Sequence, residues 1–326
     1  MVFKMDEKVV KPALKFFYLA HGKMSLQCLE NLLSSDIIPG LVVLHKDFEY
    51  EKLKNSFYVK IKQLCNDSGI QTISVDKIAG IKEQLKIFDA GICMGFMEII
   101  TEDIFAIPRY GILNLHCGKL PEYRGRAPIS RTIMDGNDNL VITIHKIDKG
   151  VDSGDILHEM KIEITNDDDV NTLYIKCSEI SHTAIIESLN KIQSCDVTSL
   201  FRKQDLDERR KAHKKISNEE RRINWKNTNE SIFNLIRAIT IPYPCAFFSY
   251  KSVVYYAVKS ELPENSEESE GNFKAGEIIS TDNGTLNVFC GNGTIALTEV
   301  RNPENQIIEI NKIFKTGENL RTTATD

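Results

Sequence analysis

Leu14-Lys-Phe-Phe-Tyr-Leu-Ala20, then His21-Gly22-Lys23-Met24, then Ser25-Leu-Gln-Cys-Leu-Glu-Asn-Leu-Leu33 decides the fold. The first run is apolar except for Lys15 and is short enough for a buried strand. Gly22 supplies a turn, and the third run carries apolar residues at helical spacing. The same rhythm recurs. Leu41–Leu44 reads as a strand and Phe48–Asn66 as a helix. Gln71–Val75 is the next strand and Lys77–Phe88 the next helix, followed by strands at Ala90–Met94 and Gly111–His116. Strands alternating with helices imply an α/β, Rossmann-like, mostly parallel sheet with helices on both faces. Ligands bind such sheets outside the carboxyl ends of the strands. The loops at Ala20–Lys23, Gly95–Glu98 and His116–Gly118 are therefore the candidate functional edge.

Beyond this sheet, Val141–Ile147 and Asp155–Ile164 read as strands. An amphipathic helix with Val170, Leu173, Cys177, Ile180, Ala184 and Leu189 at helical spacing comes next. Phe201–Arg222 holds nine Lys or Arg and five Asp or Glu, and reads as a charged, solvated linker rather than a phosphate-binding patch. Ser231–Thr240 reads as a helix stopped by Pro242 and Pro244. Five short β runs follow, with turns at Asp282-Asn-Gly284 and Gly291-Asn-Gly293, which suggests a small OB-like barrel. Pro263–Gly271 reads as an acidic loop. The expected organisation is a catalytic domain over 1–200, a linker over 201–222 and a C-terminal β domain over 223–326.

The chain has 326 residues, 42% hydrophobic and 27% charged, enough for two globular domains. Its formal net charge of -5 argues against nucleic acid as the main partner, because phosphate binding needs a basic surface. No stretch reaches the ~20 apolar residues of a membrane span, so a soluble, cytoplasmic protein is expected. Eight cysteines include no C-x-x-C and no zinc spacing, and read as reduced, mostly buried thiols; no metal site is expected. There is no G-x-G-x-x-G, no P-loop and no G-x-S-x-G.

The chemistry concentrates in Asn114-Leu-His116-Cys-Gly-Lys-Leu-Pro121-Glu-Tyr123-Arg124-Gly125-Arg126-Ala-Pro128 and in Asp148-Lys-Gly150-Val-Asp152-Ser-Gly154-Asp155. Asn114 and His116 alternate at a strand end and share one face. An amide can donate to a developing oxyanion, and an imidazole can move a proton near neutral pH. Asp152, on a loop opened by two glycines, would orient the imidazole and favour its protonated form. Each residue alone reads blandly, as a core histidine, a turn aspartate and a strand-end amide; the ordered combination is specific.

Asn-x-His, then Leu-Pro-x-Tyr-Arg-Gly, then Asp-x-Gly beginning 36 residues after the His, resembles the folate-dependent formyltransferase superfamily. The resemblance runs from about Phe16 to Leu189. It resumes at Ile223-Asn-Trp225, Ile236-Arg237-Ala238 and Pro242–Phe247, which are similar to the linker and barrel entry of methionyl-tRNA formyltransferase and of the aminoarabinose formyltransferase. It implies 10-formyltetrahydrofolate as formyl donor and Asn114, His116 and Asp152 as the catalytic triplet. It also implies a pterin surround from Gly95, Phe96, Met97, Ile147, Asp148 and Val151. His21, Lys23, Arg124, Arg126, Arg237 and Tyr243 fall on the acceptor side. Lys119, Cys117-Gly118 and Cys245 depart from the usual pattern without removing a catalytic group. Alternation turns Cys117 away from the His116 face, against a thiol nucleophile.

Among acceptors, the purine branch is shorter and the hydrolase branch carries a preceding domain. The loop Tyr18–Met24 lacks the Gly-Thr-Pro of the tRNA enzyme, and Arg126 follows Tyr-Arg-Gly as in the aminoarabinose enzyme. A guanidinium suits a diphosphate or a carboxylate. The expected function is N-formylation of a UDP- or dTDP-linked 4-amino-deoxy sugar for a surface glycan such as O-antigen. Methionyl-tRNA formyltransferase and a catalytically silent ligand-binding relative are the alternatives. Oligomeric state is open, a homodimer included.

Overall fold

The computed structural model describes residues 14–46, 56–96, 98–194, 200–207, 211–263 and 272–321. The chain divides into two compact units. The first comprises Met1–Arg124, Val141–Met160 and Lys176–Arg210; the second comprises Gly125–Leu140, Lys161–Ile175 and Lys211–Asp326.

A seven-stranded sheet runs in the order β3-β2-β1-β4-β5-β6-β7. Its strands are β1 (Phe16–Ala20), β2 (Leu41–His45), β3 (Thr72–Val75), β4 (Ala90–Met94), β5 (Ile112–His116), β6 (Asn139–Lys146) and β7 (Ile156–Glu163). β1 pairs in parallel with β2 and β4, β2 with β3, and β4 with β5. β6 then runs antiparallel to β5. Every residue of β1 and β4 is buried, as central strands covered on both faces require. The apolar core on one side joins Phe17, Leu19, Val43, Ile78, Leu85, Phe88, Ile104 and Ile112.

Chain order runs outward from β1 to β3, then returns to place β4 on the other side of β1. The β1/β4 junction is therefore a topological switch point, the usual ligand-binding place in sheets of this kind. The loops after both strands meet there. The His21 N–H donates to the Met94 carbonyl at 3.3 Å. Gly95 has φ +73°, and a Cβ on it would lie 3.1 Å from the His21 carbonyl oxygen.

Element by element, the strands follow the expectation to within a few residues. Helical elements differ more. The helix expected over Phe48–Asn66 is observed at Phe57–Asp67, started by Ser56, whose side chain accepts from the Val59 N–H; residues 47–55 lie outside the described set. Lys77–Phe88 is a 3-10 turn, Ile78–Ile81, followed by one short helix, Lys82–Leu85. Gly80 weakens a continuous helix, and the Glu98 carboxylate caps the Ile78 N–H at 2.8 Å. The helix Pro128–Met134, with proline in its first turn, was not expected.

In the second unit, a five-stranded antiparallel sheet runs β10-β11-β12-β9-β8. Its strands are β8 (Ala246–Tyr250), β9 (Val253–Glu261), β10 (Ile278–Ser280), β11 (Leu286–Phe289) and β12 (Thr294–Arg301). Trp225, Phe248, Tyr255 and Phe314 pack ring against ring beneath it. The helix Asn229–Ala238, capped by Thr228, buries Ile232, Phe233 and Ile236. It packs against Pro128–Met134, so residues 125–140 and 161–175, placed by the sequence reading in the first domain, belong compactly to the second unit. Of the Pro263–Gly271 loop, residues 264–271 lie outside the described set.

Candidate functional site

The antiparallel register of β5 and β6 builds the site. It sets Asn114 opposite His145 and His116 opposite Thr143. Cross-strand neighbours share a face, so the amide and two imidazoles converge from one strand pair. Thr143 donates to the Gly118 carbonyl at 2.8 Å and ties the β5 exit down. The third contributor is the loop between β6 and β7. There Asp148 Oδ1 accepts from the Gly150 N–H at 3.0 Å and the Ser153 hydroxyl at 2.7 Å. Gly154 lies flat against β6: a Cβ on it would sit 2.8 Å from the Lys146 carbonyl carbon, with the oxygen nearer still. Asp152 itself takes a left-handed backbone, φ +48°, uncommon for a residue with a Cβ.

The Asp152 carboxylate stands between the two rings. His116 Nδ1 is 3.6 Å from Oδ2, and His145 Nε2 is 3.6 Å from Oδ1. The opposite nitrogen of each ring is committed. His116 Nε2 lies 2.7 Å from the Tyr123 carbonyl, and His145 Nδ1 lies 2.8 Å from the Lys146 carbonyl. A carbonyl only accepts, so both of these nitrogens carry hydrogen. In His116 the nitrogen facing Asp152 is thus the one open to a proton, and in His145 it is the acceptor. Asn114 Nδ2 donates to His145 Nε2 at 3.1 Å, which completes a chain Asn114–His145–Asp152–His116.

His116 is 7% exposed. Burial pushes its pKa below the ordinary imidazole range; the Asp152 charge and the Tyr123 carbonyl pull it back up, and His145 adds to the lowering. The burial contribution prevails, so the resting ring is neutral near pH 7 and able to accept a proton at Nδ1.

Asn114, His116 and Asp152 are thus brought together within the first unit. His145 was missed: period-two alternation along Val141–Ile147 shows which face it shares with Thr143, but not that this face meets Asn114. Phe96 and Ile147 pack half-buried against the same apolar core. Val151 is 58% exposed, and the Asp148 carboxylate shapes the loop. Met97 lies outside the described residues. His21 occupies the N-cap position of the helix Gly22–Ser34 without a side-chain capping bond, Lys23 is exposed in the first turn of that helix, and Arg124 is half-buried.

Arg126, Arg237 and Tyr243 belong to the second unit. Arg126 is exposed, and its N–H donates to the His213 carbonyl at 2.9 Å. Arg237 donates to the Thr165 and Asp168 carbonyls at 2.7 and 2.9 Å and to Asn234 Oδ1 at 2.9 Å, so its guanidinium braces its own unit. Tyr243 is 42% exposed. Seven cysteines are described, all with free thiols and six of them buried. The Cys117 thiol points to Met24 Sδ at 3.7 Å. Among the described residues no group of His, Cys, Asp and Glu is arranged to hold a metal ion, and no helix is long and apolar enough to cross a membrane.

Residues 41–189 match the formyl transferase family, and residues 215–317 match the formyl transferase C-terminal domain. The chain belongs to the formyl transferase family. Methionyl-tRNA formyltransferase from Caldicellulosiruptor saccharolyticus is 32% identical over 248 residues, 74% of this chain and 76% of the relative. The same enzyme from Enterococcus faecalis is 28% identical over 287 residues, 86% of this chain and 88% of the relative. The fold is shared with WlaRD, a sugar 3N-formyltransferase solved with dTDP and 5-N-formyl-THF. That match has a TM-score of 0.63 at 18% identity and covers 88% of this chain and 97% of WlaRD. It is also shared with a Helicobacter canadensis N-formyltransferase solved with folinic acid and dTDP-3-aminofucose. There the TM-score is 0.62 at 20% identity, covering 87% of this chain and 98% of the neighbour. In this formyltransferase, Asn114, His116 and Asp152 fall within the first matched segment and Arg237 and Tyr243 within the C-terminal one.

Proposed function

We propose that this formyltransferase moves a formyl group from 10-formyltetrahydrofolate to the amine of a nucleotide-linked amino-deoxy sugar. The observation that carries the transfer chemistry is the neutral, buried His116 with its open Nδ1 facing the Asp152 carboxylate. His116 takes the proton released as the acceptor nitrogen forms its new C–N bond, and Asp152 stabilises the imidazolium. The same proton leaves toward the departing donor nitrogen. One Asn114 N–H is spent on His145, and the second serves the oxygen on which charge develops. Losing one such donor costs about 2.7–4 kcal/mol of transition-state stabilisation. The half-buried Phe96 and Ile147, packed against the core after β4 and β6, offer an apolar surface for a flat pterin.

The acceptor reading rests on charge. The formal net charge is -5, and several cations of the basic 201–222 run are consumed internally. Arg202 pairs with Glu159 at 2.7 Å, and Arg221 and Arg222 lie over the Phe247 ring at 5.5 and 5.1 Å. Cations engaged in this way contribute little to binding a polyphosphate backbone. The second reading, methionyl-tRNA, is favoured by the curated relatives, which align over both halves of the chain. The test is formyl transfer from 10-formyltetrahydrofolate to UDP- and dTDP-linked 4-amino-deoxy sugars and, in parallel, to charged methionyl-tRNA. Turnover on a sugar alone supports the first reading; turnover on tRNA alone replaces it with the second. His116→Ala should abolish turnover on either while the fold survives; undiminished turnover would sink the mechanism.

A further inference from the structure

The segment after the long helix Val170–Ser194 is stitched to the catalytic loop of the first unit. Arg202 and Ile156 exchange both backbone hydrogen bonds at 2.8 Å, adding a bridge to the edge of β7. The Phe201 ring lies 3.9 Å below the Lys146 ammonium. Three residues on, the Gln204 amide Nε2 donates to the Asp152 carbonyl at 3.0 Å and to the Gly154 carbonyl at 2.7 Å. The amide orientation follows from its surroundings. Turned over, Gln204 would set its own oxygen against two carbonyl oxygens, whereas as placed both N–H groups are used.

We infer that Gln204 is a positioning residue, whose amide holds the left-handed Asp152 backbone so that the carboxylate stands between His116 and His145. Asp152 has φ +48°, a left-handed conformation that a residue with a Cβ keeps only where its surroundings fix it, and its carbonyl and that of Gly154 flank the turn. Among the described residues, it is Gln204 that bonds both of those carbonyls. This inference rests on reading Asp152 as the partner of His116 in catalysis.

The test is Gln204→Met in the full chain, which keeps the bulk of the side chain and removes both donors. Gln204→Glu, which keeps the length and polarity, is the second variant in case the first folds poorly. Two quantities are read. One is the His116 ring titration followed by NMR on histidine-labelled protein; this ring faces Asp152, the His145 ring and the Tyr123 carbonyl. The other is kcat in formyl transfer. The carboxylate favours the protonated ring, so a loosened Asp152 moves the His116 midpoint downward. With the carboxylate displaced, kcat falls roughly ten- to hundredfold. A merely structural role would lower the melting temperature and leave the titration in place. An unmoved His116 midpoint in a folded variant overturns the inference, as does parent kcat. The titration needs no acceptor. A shifted midpoint in the variant of a parent protein that transfers no formyl group therefore refutes the proposed function and upholds the positioning role. Transfer with an unshifted midpoint does the reverse.

Discussion

Gly154→Ala places one methyl group where the Asp152 loop crosses β6. Its Cβ would meet the Lys146 carbonyl carbon at 2.8 Å, with the oxygen closer, inside the 3.0 Å that real Cβ contacts respect. Backbone rather than a flexible side chain blocks it, so loop and strand must part by about 1 Å. Three hydrogen bonds are made by the groups at that contact. Lys146 O accepts from His145 Nδ1 at 2.8 Å, the Lys146 N–H donates to Asp155 O at 2.9 Å, and Gly154 O accepts from Gln204 at 2.7 Å. Weakening them, at about 0.5–1.5 kcal/mol each, together with overpacking places the destabilisation near 2–3 kcal/mol. At about 2–4 °C per kcal/mol, the first unit should melt roughly 4–12 °C lower. The carbonyl that moves also sets the His145 tautomer, so Asp152 and Asn114 lose register with His116. A displacement of this size costs about 100-fold in kcat. The assay is a thermal melt with formyl-transfer kinetics, alongside Gly150→Ala. At Gly150 the nearest atom is the Ser153 hydroxyl, which can rotate away, so the loss there should be smaller. Parent melting temperature and parent kcat in Gly154→Ala would refute the account of the loop.

Burial depresses the pKa of both His116 and His158 in the folded chain. Below the ordinary imidazole value of 6.5 the unfolded chain binds these protons more readily than the folded one. Their contribution to stability is therefore complete above about pH 6.5 and declines as pH falls toward the folded pKa values; melting temperatures flat from pH 7 down to 5 would contradict this. His145→Met removes the link between Asn114 and Asp152 while keeping bulk. It should lower kcat by about tenfold or more with little change in melting, and unaltered kinetics would make His145 a bystander. Arg237→Ala should cost roughly 1–3 kcal/mol of stability by stranding the Thr165 and Asp168 carbonyls, with acceptor KM unchanged; a large KM rise at parent stability would instead restore its expected acceptor role. Glu220 is held down to about 2 by Arg131, yet the pair is partly solvated, so Glu220→Gln should cost under about 1 kcal/mol in denaturant unfolding.

The alternating strands and helices, the spacing of Asn114, His116 and Asp152, and the glycines around Asp152 were all readable along the chain. Such features are local: side-chain periodicity and turn chemistry are set by residues a few positions apart. Three features of the site were not readable in this way. His145 sits where any strand residue of Val141–Ile147 might, and only the antiparallel register of β5 and β6 aims it at Asn114. Gln204 lies in a stretch that reads as solvated charge, and only folding brings it to Asp152, 52 residues earlier. Arg237 and Tyr243 sit in a motif that suggests ligand contact, yet carbonyls of its own unit occupy the Arg237 guanidinium. Sequence alone determined the fold class and which residue types could do the chemistry, because local patterns encode both. Tertiary structure decided which nitrogen of each histidine carries its proton and what holds Asp152 in place, because those depend on carbonyls supplied by distant segments.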